Sequence, residues 1–428
     1  MAFDMDELHK RRQQREQQRQ ERLRQKKQLT TRLLIAGVVL ILVAGLILAV
    51  SLGASGDPDG QTEPSQVLNQ QPQNTEPSTQ TTVPPVTVVS FTAVGDLNVT
   101  EKVVSSGGVG YDYTDAFMDV VPVLSQSDLT AVNLEGVLCG APYGAENRSA
   151  PQTMMTALAN AGVDLVQAAN SYAIKNGVSG LGMTLANIRA AGLESVGAYA
   201  DEQDYKESGG YTIRNVNGVR IAIVAFTKGM DGMALPAGSE KCVNLLYTDY
   251  SSTYRQVDTE GITGLLSRVA KEKPDVTIAL VHWGSEFNDT HSDSQKQIRN
   301  LMLEQGVDAI IGTHPHYVQE LEYNADNGTF VAYSLGDFIG DATRSGTEYS
   351  IAVHLEITKD NATGTAKITG YSYTPLFTAA QADGTVRVVR LEPAMAAYRS
   401  GYIDRVSPEV YASMEYGLER IRDRVTSD

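Results

Sequence analysis

His282, His314 and His316 stand with Asp96, Glu135 and Asp337 in short polar segments, and each segment follows an apolar run. The segments are Val94-Gly95-Asp96, Asn133-Leu134-Glu135, Asn170-Ser171-Tyr172, His282-Trp283-Gly284-Ser285-Glu286, Gly312-Thr313-His314-Pro315-His316 and Ser334-Leu335-Gly336-Asp337. Carboxylates mixed with imidazoles are ligands for manganese, zinc or iron, and an ion so held supports hydrolysis. Each segment alone has a bland reading: Gly-Asp closes turns, Asn-Leu-Glu closes strands, and a histidine beside a tryptophan sits half-buried. His314-Pro-His316 is more specific, because a proline between two histidines fixes their directions. Of six histidines, His9 lies in a basic N-terminal tract, and three of the other five fall in these segments, so the concentration favours a site. His291 and His354 read as surface and strand residues.

The apolar runs that must position these residues are Val86–Val94, Leu129–Leu134, Val163–Ala169, Val219–Phe226, Val276–Val281, Val307–Ile311 and Phe330–Leu335. Segments with helical spacing lie between them: Met154–Ala161, Leu181–Ala191, Ile262–Lys271 and Gln295–Gln305. Strand–helix alternation predicts a layered α/β fold around a parallel or mixed sheet. In such sheets the carboxyl ends of the strands meet at one rim, where sites form. Ser350–Thr358 and Lys367–Phe377 read as an antiparallel pair, and Ser407–Val425 as a helix capped by Ser407 with Pro408 in its first turn.

The first fifth of the chain reads differently. The net charge is −16. Residues 1–32 carry ten basic and five acidic side chains and residues 33–54 none, which leaves −21 on the rest. That balance excludes a general nucleic-acid binder, since phosphate contacts need clustered Lys and Arg. Residues 33–54 are long and apolar enough for a transmembrane helix. Basic residues before it and Asp57 and Asp59 after it put residues 1–32 in the cytoplasm and the rest outside. The length favours an uncleaved anchor over a cleaved signal peptide, and no cysteine near its end marks a lipoprotein. Residues 55–86 hold six of fifteen prolines among Gln, Thr and Ser, and read as a disordered stalk. Cys139 and Cys242 are expected to be either one disulfide or two buried thiols. The expected organisation is tail (1–32), membrane helix (33–54), stalk (55–86), main α/β domain (87–380) and C-terminal extension (381–428).

The strand-end segments, in their order along the chain, resemble the CapA family of poly-gamma-glutamate capsule biosynthesis proteins. The resemblance runs from about Ser90 to about Asp341 and includes Gly336-Asp337-Phe338-Ile339 and Ala191-Gly192 through Val196-Gly197-Ala198. It implies a four-layer αββα calcineurin-like metallophosphoesterase fold. It also implies a divalent metal centre of one or two ions, with Asp96, Glu135, His282, His314 and His316 as ligands and His282 and His314 as candidate catalytic groups. Asn133, Asn170, Lys175, Asp337 and Arg344 are then candidates for substrate contact. Such a centre polarises a phosphoryl or carbonyl oxygen and activates water.

The chain departs from the family at one stretch. Members usually read Ala-Asn-Asn-His, then Asp three residues on. Here the stretch is Ala169-Asn170-Ser171-Tyr172-Ala173-Ile174-Lys175, so serine, tyrosine and lysine replace asparagine, histidine and aspartate. Serine is a weak ligand, and tyrosine, titrating near about 10, is a poor acid at neutral pH. Lys175 is expected either to fill the place of a lost second ion or to mark a disused site. Asp337 also stands where the family usually has asparagine. Two functions follow. The first is a membrane-anchored extracellular protein that assists synthesis or export of an anionic cell-surface polymer together with a synthase and export proteins, its site partly degenerate. The second is an active metal-dependent hydrolase or transferase acting on a phosphoester or amide in the cell envelope.

Overall fold

A computed structural model describes residues 85–381, 383–401 and 406–425. The expected cytoplasmic tail and membrane helix, and all but the last two residues of the expected stalk, lie outside these residues. Among the described residues no helix is long and apolar enough to cross a membrane.

Fourteen strands among the described residues form two sheets. The first sheet begins with β1 (Val86–Asn98), β2 (Leu129–Glu135), β3 (Leu165–Gln167) and β4 (Glu194–Val196), all parallel. The second contains β5 (Thr212–Val216), β6 (Val219–Thr227), β7 (Val276–His282), β8 (Ala309–Thr313), β9 (Leu321–Asn324) and β10 (Thr329–Ala332), in the order β5-β6-β7-β8-β10-β9. Its four inner strands are parallel and its two edges antiparallel. The chain then returns to the first sheet through β11 (Asp337–Ile339), β12 (Tyr349–Asp360), β13 (Ala366–Ala380) and β14 (Val386–Arg390). The three-residue β11 lies parallel to the end of β1, while β12, β13 and β14 extend the sheet antiparallel on that side.

Side-chain alternation along the strands sorts the core into layers. Val89, Phe91 and Ala93 of β1 pack with Ile221, Ile223, Ile278, Leu280 and Ile311 of the other sheet, and form the seam between the two sheets. Val94 and Val132 point the other way, onto Met154, Leu158, Leu181 and Leu185 of the helices Gln152–Ala161 and Gly177–Ala190. On the far side, Val224 and Val281 pack on Ile262, Leu266, Ile298 and Met302 of the helices Thr259–Lys271 and Asp293–Glu304. Helix, sheet, sheet, helix is the expected αββα order. Strands buried on both faces explain the near-continuous apolar runs in the sequence. The helix Asp293–Glu304 starts on a reciprocal cap between Ser292 and Gln295.

The C-terminal segment belongs to this body. β14 pairs with β13, and the helices Leu391–Arg399 and Pro408–Val425 place Leu391, Met395, Met414 and Ile421 in the inter-sheet core. Ser407 accepts a bond from the Val410 amide at 3.3 Å, as expected of a cap. Both Cys139 and Cys242 are free thiols.

Candidate metal centre

Alternation also decides which strand-end side chains meet. In β2, Leu129 and Ala131 face the inter-sheet seam, so Asn133 and Glu135 continue that face beyond the apolar layer. In β7, Ile278 and Leu280 do the same for His282. In β1, strict alternation from Val89, Phe91 and Ala93 would send Asp96 to the helix side. A register irregularity between Val94 and Asp96 reverses the phase, and Leu97 joins the helix-side core instead. The extra residue turns Asp96 toward the cleft, a usual effect of a bulge. Gly95 makes this possible: a Cβ there would lie 1.8 Å from Gly336 O. The close approach lets the Asp96 amide donate to Gly336 O at 3.0 Å and sets Asp96 beside Asp337.

The result is a buried cluster. Asp96, Glu135, His282, His314, His316 and Asp337 are each at most 5% exposed. Donor atoms of Glu135, His282 and His314 lie within 4.8 Å of one another, as do those of Asp96, His316 and Asp337. A third grouping joins His314 and His316 to the exposed Glu286. Glu135 Oε2 lies 3.0 Å from His282 Nε2, and Asp337 Oδ1 lies 2.6 Å from His316 Nδ1. Asp96 accepts the His314 amide at 2.9 Å and a side-chain bond from Asn133. Thr313 Oγ1 lies 3.1 Å from His282 Nδ1 and orients that ring. His314 and His316 have φ of 93° and 60°, left-handed values rare outside glycine. Backbone held in that region on both sides of Pro315 marks a functional turn.

These donors fit a divalent ion. Buried carboxylate and imidazole groups at mutual ligand distance are the set expected for zinc, manganese or iron. Two buried oxygens, Asn133 Oδ1 and Glu135 Oε2, make no well-directed hydrogen bond, and a cation accounts for such atoms. Titration behaviour agrees. Burial raises Asp96 and Asp337 above the usual carboxylate range. Burial opposes charge on His316, but Asp337 by charge and hydrogen bond, together with Asp96 and Glu135, outweighs it and lifts the imidazole to about 10. Burial, then the neighbouring His282 and Lys228, push His314 well below its usual value. Burial opposes ionisation of Glu135 as well, yet His282 holds it below the usual range. Without an ion, protons bind some of the ligand positions.

Among the expected substrate contacts, Asn133 is in the cluster and Asp337 belongs to a ligand group rather than beside it. Arg344 sits at the rim, its guanidinium 4.0 Å over the Phe287 ring, which in turn stacks on His316 at 5.5 Å. Asn170 is buried but not turned to the cluster. Its amide donates to Gly136 O and Ala168 O, and its oxygen accepts the Tyr172 amide at 2.7 Å, so it shapes the loop. Lys175 is exposed, one turn beyond, and makes none of the cluster's contacts. It therefore does not stand in for an ion. Ser171 does reach the site, with Oγ 3.0 Å from His282 Nε2 and 3.4 Å from His314 Nδ1. Two further residues were not singled out from sequence. Glu286 follows the His282 strand end but, as an exposed carboxylate, carries no sequence mark that sets it apart. Arg148 lies in an irregular loop with no strand before it, and nothing in its spacing marks it. His354 is a strand residue as expected, whereas His291 is only partly exposed and pairs with Glu320 at 3.0 Å.

A two-sheet αββα protein with a buried carboxylate–imidazole cluster at its strand ends is the class that fold and site define. The chain belongs to the bacterial capsule synthesis protein PGA_cap family, whose profile matches residues 90–342. It is 29% identical over 293 residues to the PGA biosynthesis protein CapA of Bacillus subtilis (strain 168), covering 66% of this chain and 71% of that one. It is 26% identical over 296 residues to the capsule biosynthesis protein CapA of Bacillus anthracis, covering 64% of this chain and 65% of that one. Among solved structures it is similar to the calcineurin-like phosphoesterase YfkN from Bacillus subtilis, with 15% identity, a TM-score of 0.42, and coverage of 78% of this chain and all of that one.

Proposed function

We propose that this chain assists the synthesis or export of a cell-surface polymer of the poly-gamma-glutamate type, and that its cluster is a divalent metal centre that engages the polymer or its precursor. Its similarity to the CapA proteins of Bacillus subtilis and Bacillus anthracis supports the pathway. The buried pair of ligand groups, one of them carrying an oxygen without a well-directed hydrogen bond, carries the chemistry. A bound divalent ion supplies Lewis acidity toward a phosphoryl or carbonyl oxygen. Glu135, His282 and His314 would hold one ion and Asp96, His316 and Asp337 another. Residues 33–54, read as a membrane anchor with the main domain outside, fit a role beside a membrane-bound synthase.

The site favours engagement over rapid hydrolysis. Burial, with the Glu135 carboxylate next, pushes the Tyr172 phenol up to about 12, although Arg148 Nη2 donates to its oxygen at 2.9 Å and opposes the rise. A phenol so raised is a weak acid toward a leaving group at neutral pH. The completeness of both ligand groups supports the second reading, a metal-dependent hydrolase or transferase. The two separate by assay. Chain reloaded with manganese or zinc is incubated with phosphoester and gamma-glutamyl amide substrates, and metal-dependent turnover selects the second. Metal uptake without turnover selects the first, and no uptake defeats both.

A further inference from the structure

Arg148 is a cation of this site whose hydrogen bonds all go to neutral acceptors, although its charge helps hold the Glu135 carboxyl low. Its Nη1 donates to Asn98 Oδ1 at 2.9 Å and to Val99 O at 3.4 Å, and its Nη2 donates to Tyr172 Oη at 2.9 Å. The guanidinium also lies 4.2 Å from the Tyr172 ring centroid. Three of five N–H donors are thus occupied by neutral acceptors, which leaves Nε–H and one Nη2–H. Among the described residues, no carboxylate lies within ion-pair distance of it. That is unexpected for a half-buried arginine beside a cluster of buried carboxylates, because desolvated cations are ordinarily paired.

Its position explains what the charge can meet. Asn98, the first partner, lies 3.5 Å from Asp337 Oδ2, in one ligand group. Tyr172, the second partner, follows Ser171, whose hydroxyl touches His282 and His314 of the other. Arg148 is thus connected, through Asn98 and through Tyr172, to a neighbour of each ligand group. Its backbone is held at φ 51°, a costly conformation for a non-glycine residue. The amide of Val137 donates to its carbonyl at 2.8 Å and fixes it there. A planar fork, immobilised on an aromatic ring with donors left over, suits two oxygens of an oxyanion.

We propose that Arg148, clamped on Tyr172, is the anion-binding residue of this site, receiving a phosphate or carboxylate group of a ligand that lies over the two metal positions. This rests on the metal-centre reading above and adds the ligand's charge and the group that reads it. It also resolves an apparent conflict: a domain of strongly negative charge engages an anion through a local cation and the bound ion, not through its surface at large.

The test is calorimetric titration of the full chain, metal-free and manganese-loaded, with inorganic phosphate and separately with glutarate. Wild type is compared with Arg148→Met and Arg148→Lys, and metal content is measured in each. The expected result is affinity weaker by about tenfold or more in Arg148→Met, partly restored in Arg148→Lys, with metal content unchanged. The probe that shows this dependence identifies the anion as phosphate-like or carboxylate-like. Equal affinity in wild type and Arg148→Met overturns the proposal, as does loss of metal in that variant, which makes Arg148 a support of the cluster only. A wild type that takes up no metal defeats the metal-centre reading instead, and the metal-free titrations then decide Arg148 alone. No binding of either probe by wild type in any form also overturns it.

Discussion

Ser171 lies between two imidazoles of one ligand group, where its hydroxyl is a poorer donor than the amide oxygen usual in the family. Ser171→Asn is therefore expected to tighten metal binding at the Glu135–His282–His314 position by about tenfold, the scale on which partners of a metal site act. Competition with a chelating indicator measures this, and unchanged affinity counts against Ser171 as the weak point. A second residue-scale prediction concerns acid. His354 is held between Thr92 and Thr374, each at 2.8 Å, and burial depresses its imidazole below the usual 6.5. Above that pH neither the folded nor the unfolded chain protonates it, so it makes no difference. As pH falls below about 6.5 the unfolded chain takes the proton first, and stability is lost. His354→Gln keeps a polar group in the strand and removes this loss. The drop in melting temperature from pH 7.5 to pH 5 is then smaller than in wild type, and an equal drop contradicts the assignment. Sequence pattern reached the residues of the buried cluster because each follows an apolar run long enough to read as a strand. It did not reach Arg148, whose loop has no period, and it misplaced Lys175, because a short turn rather than a motif decides which way that side chain faces.

Between elements, the tightest requirement is the contact of β1 with the turn before β11. Gly95→Ala drives a Cβ into the Gly336 carbonyl, and neither backbone can yield without moving Asp96 or Asp337. A loss of about 2–4 kcal/mol in unfolding free energy is expected, together with weaker metal binding. Denaturant titration and metal analysis of one sample check both, and a stable variant with normal metal content contradicts this account of the bulge. The C-terminal helix Pro408–Val425 is the second such element. Met414 is fully buried against the sheet, so Met414→Ala is expected to cost about 2–5 kcal/mol, although it is remote in sequence from the motifs. The long strands and amphipathic helices were legible in the sequence within a few residues. The three-residue strands β3, β4 and β11 were legible only in part, since so short a run carries little periodicity of its own and tertiary pairing sets its extent. The antiparallel pair β12 and β13 was read correctly, whereas β14 could not be told from a tail.

At the scale of the whole molecule, the seam between the two sheets gathers strand ends from positions 96 to 337, and this convergence gives the scattered motifs a common purpose. The cluster holds protons in the absence of an ion, because burial raises Asp96 and Asp337 and Asp337 raises His316. Metal uptake is therefore expected to release protons, and its affinity to fall as pH is lowered. Titration in buffers of different ionisation enthalpy reads the proton count directly. The measurement that tests the central claim is metal content after chelator treatment and reloading with manganese or zinc, in wild type and in a His282→Ala/His316→Ala double variant, which removes one imidazole from each ligand group. At least one tightly held equivalent is expected in wild type and none in the variant. No retained metal in wild type, or equal retention in both proteins, contradicts it.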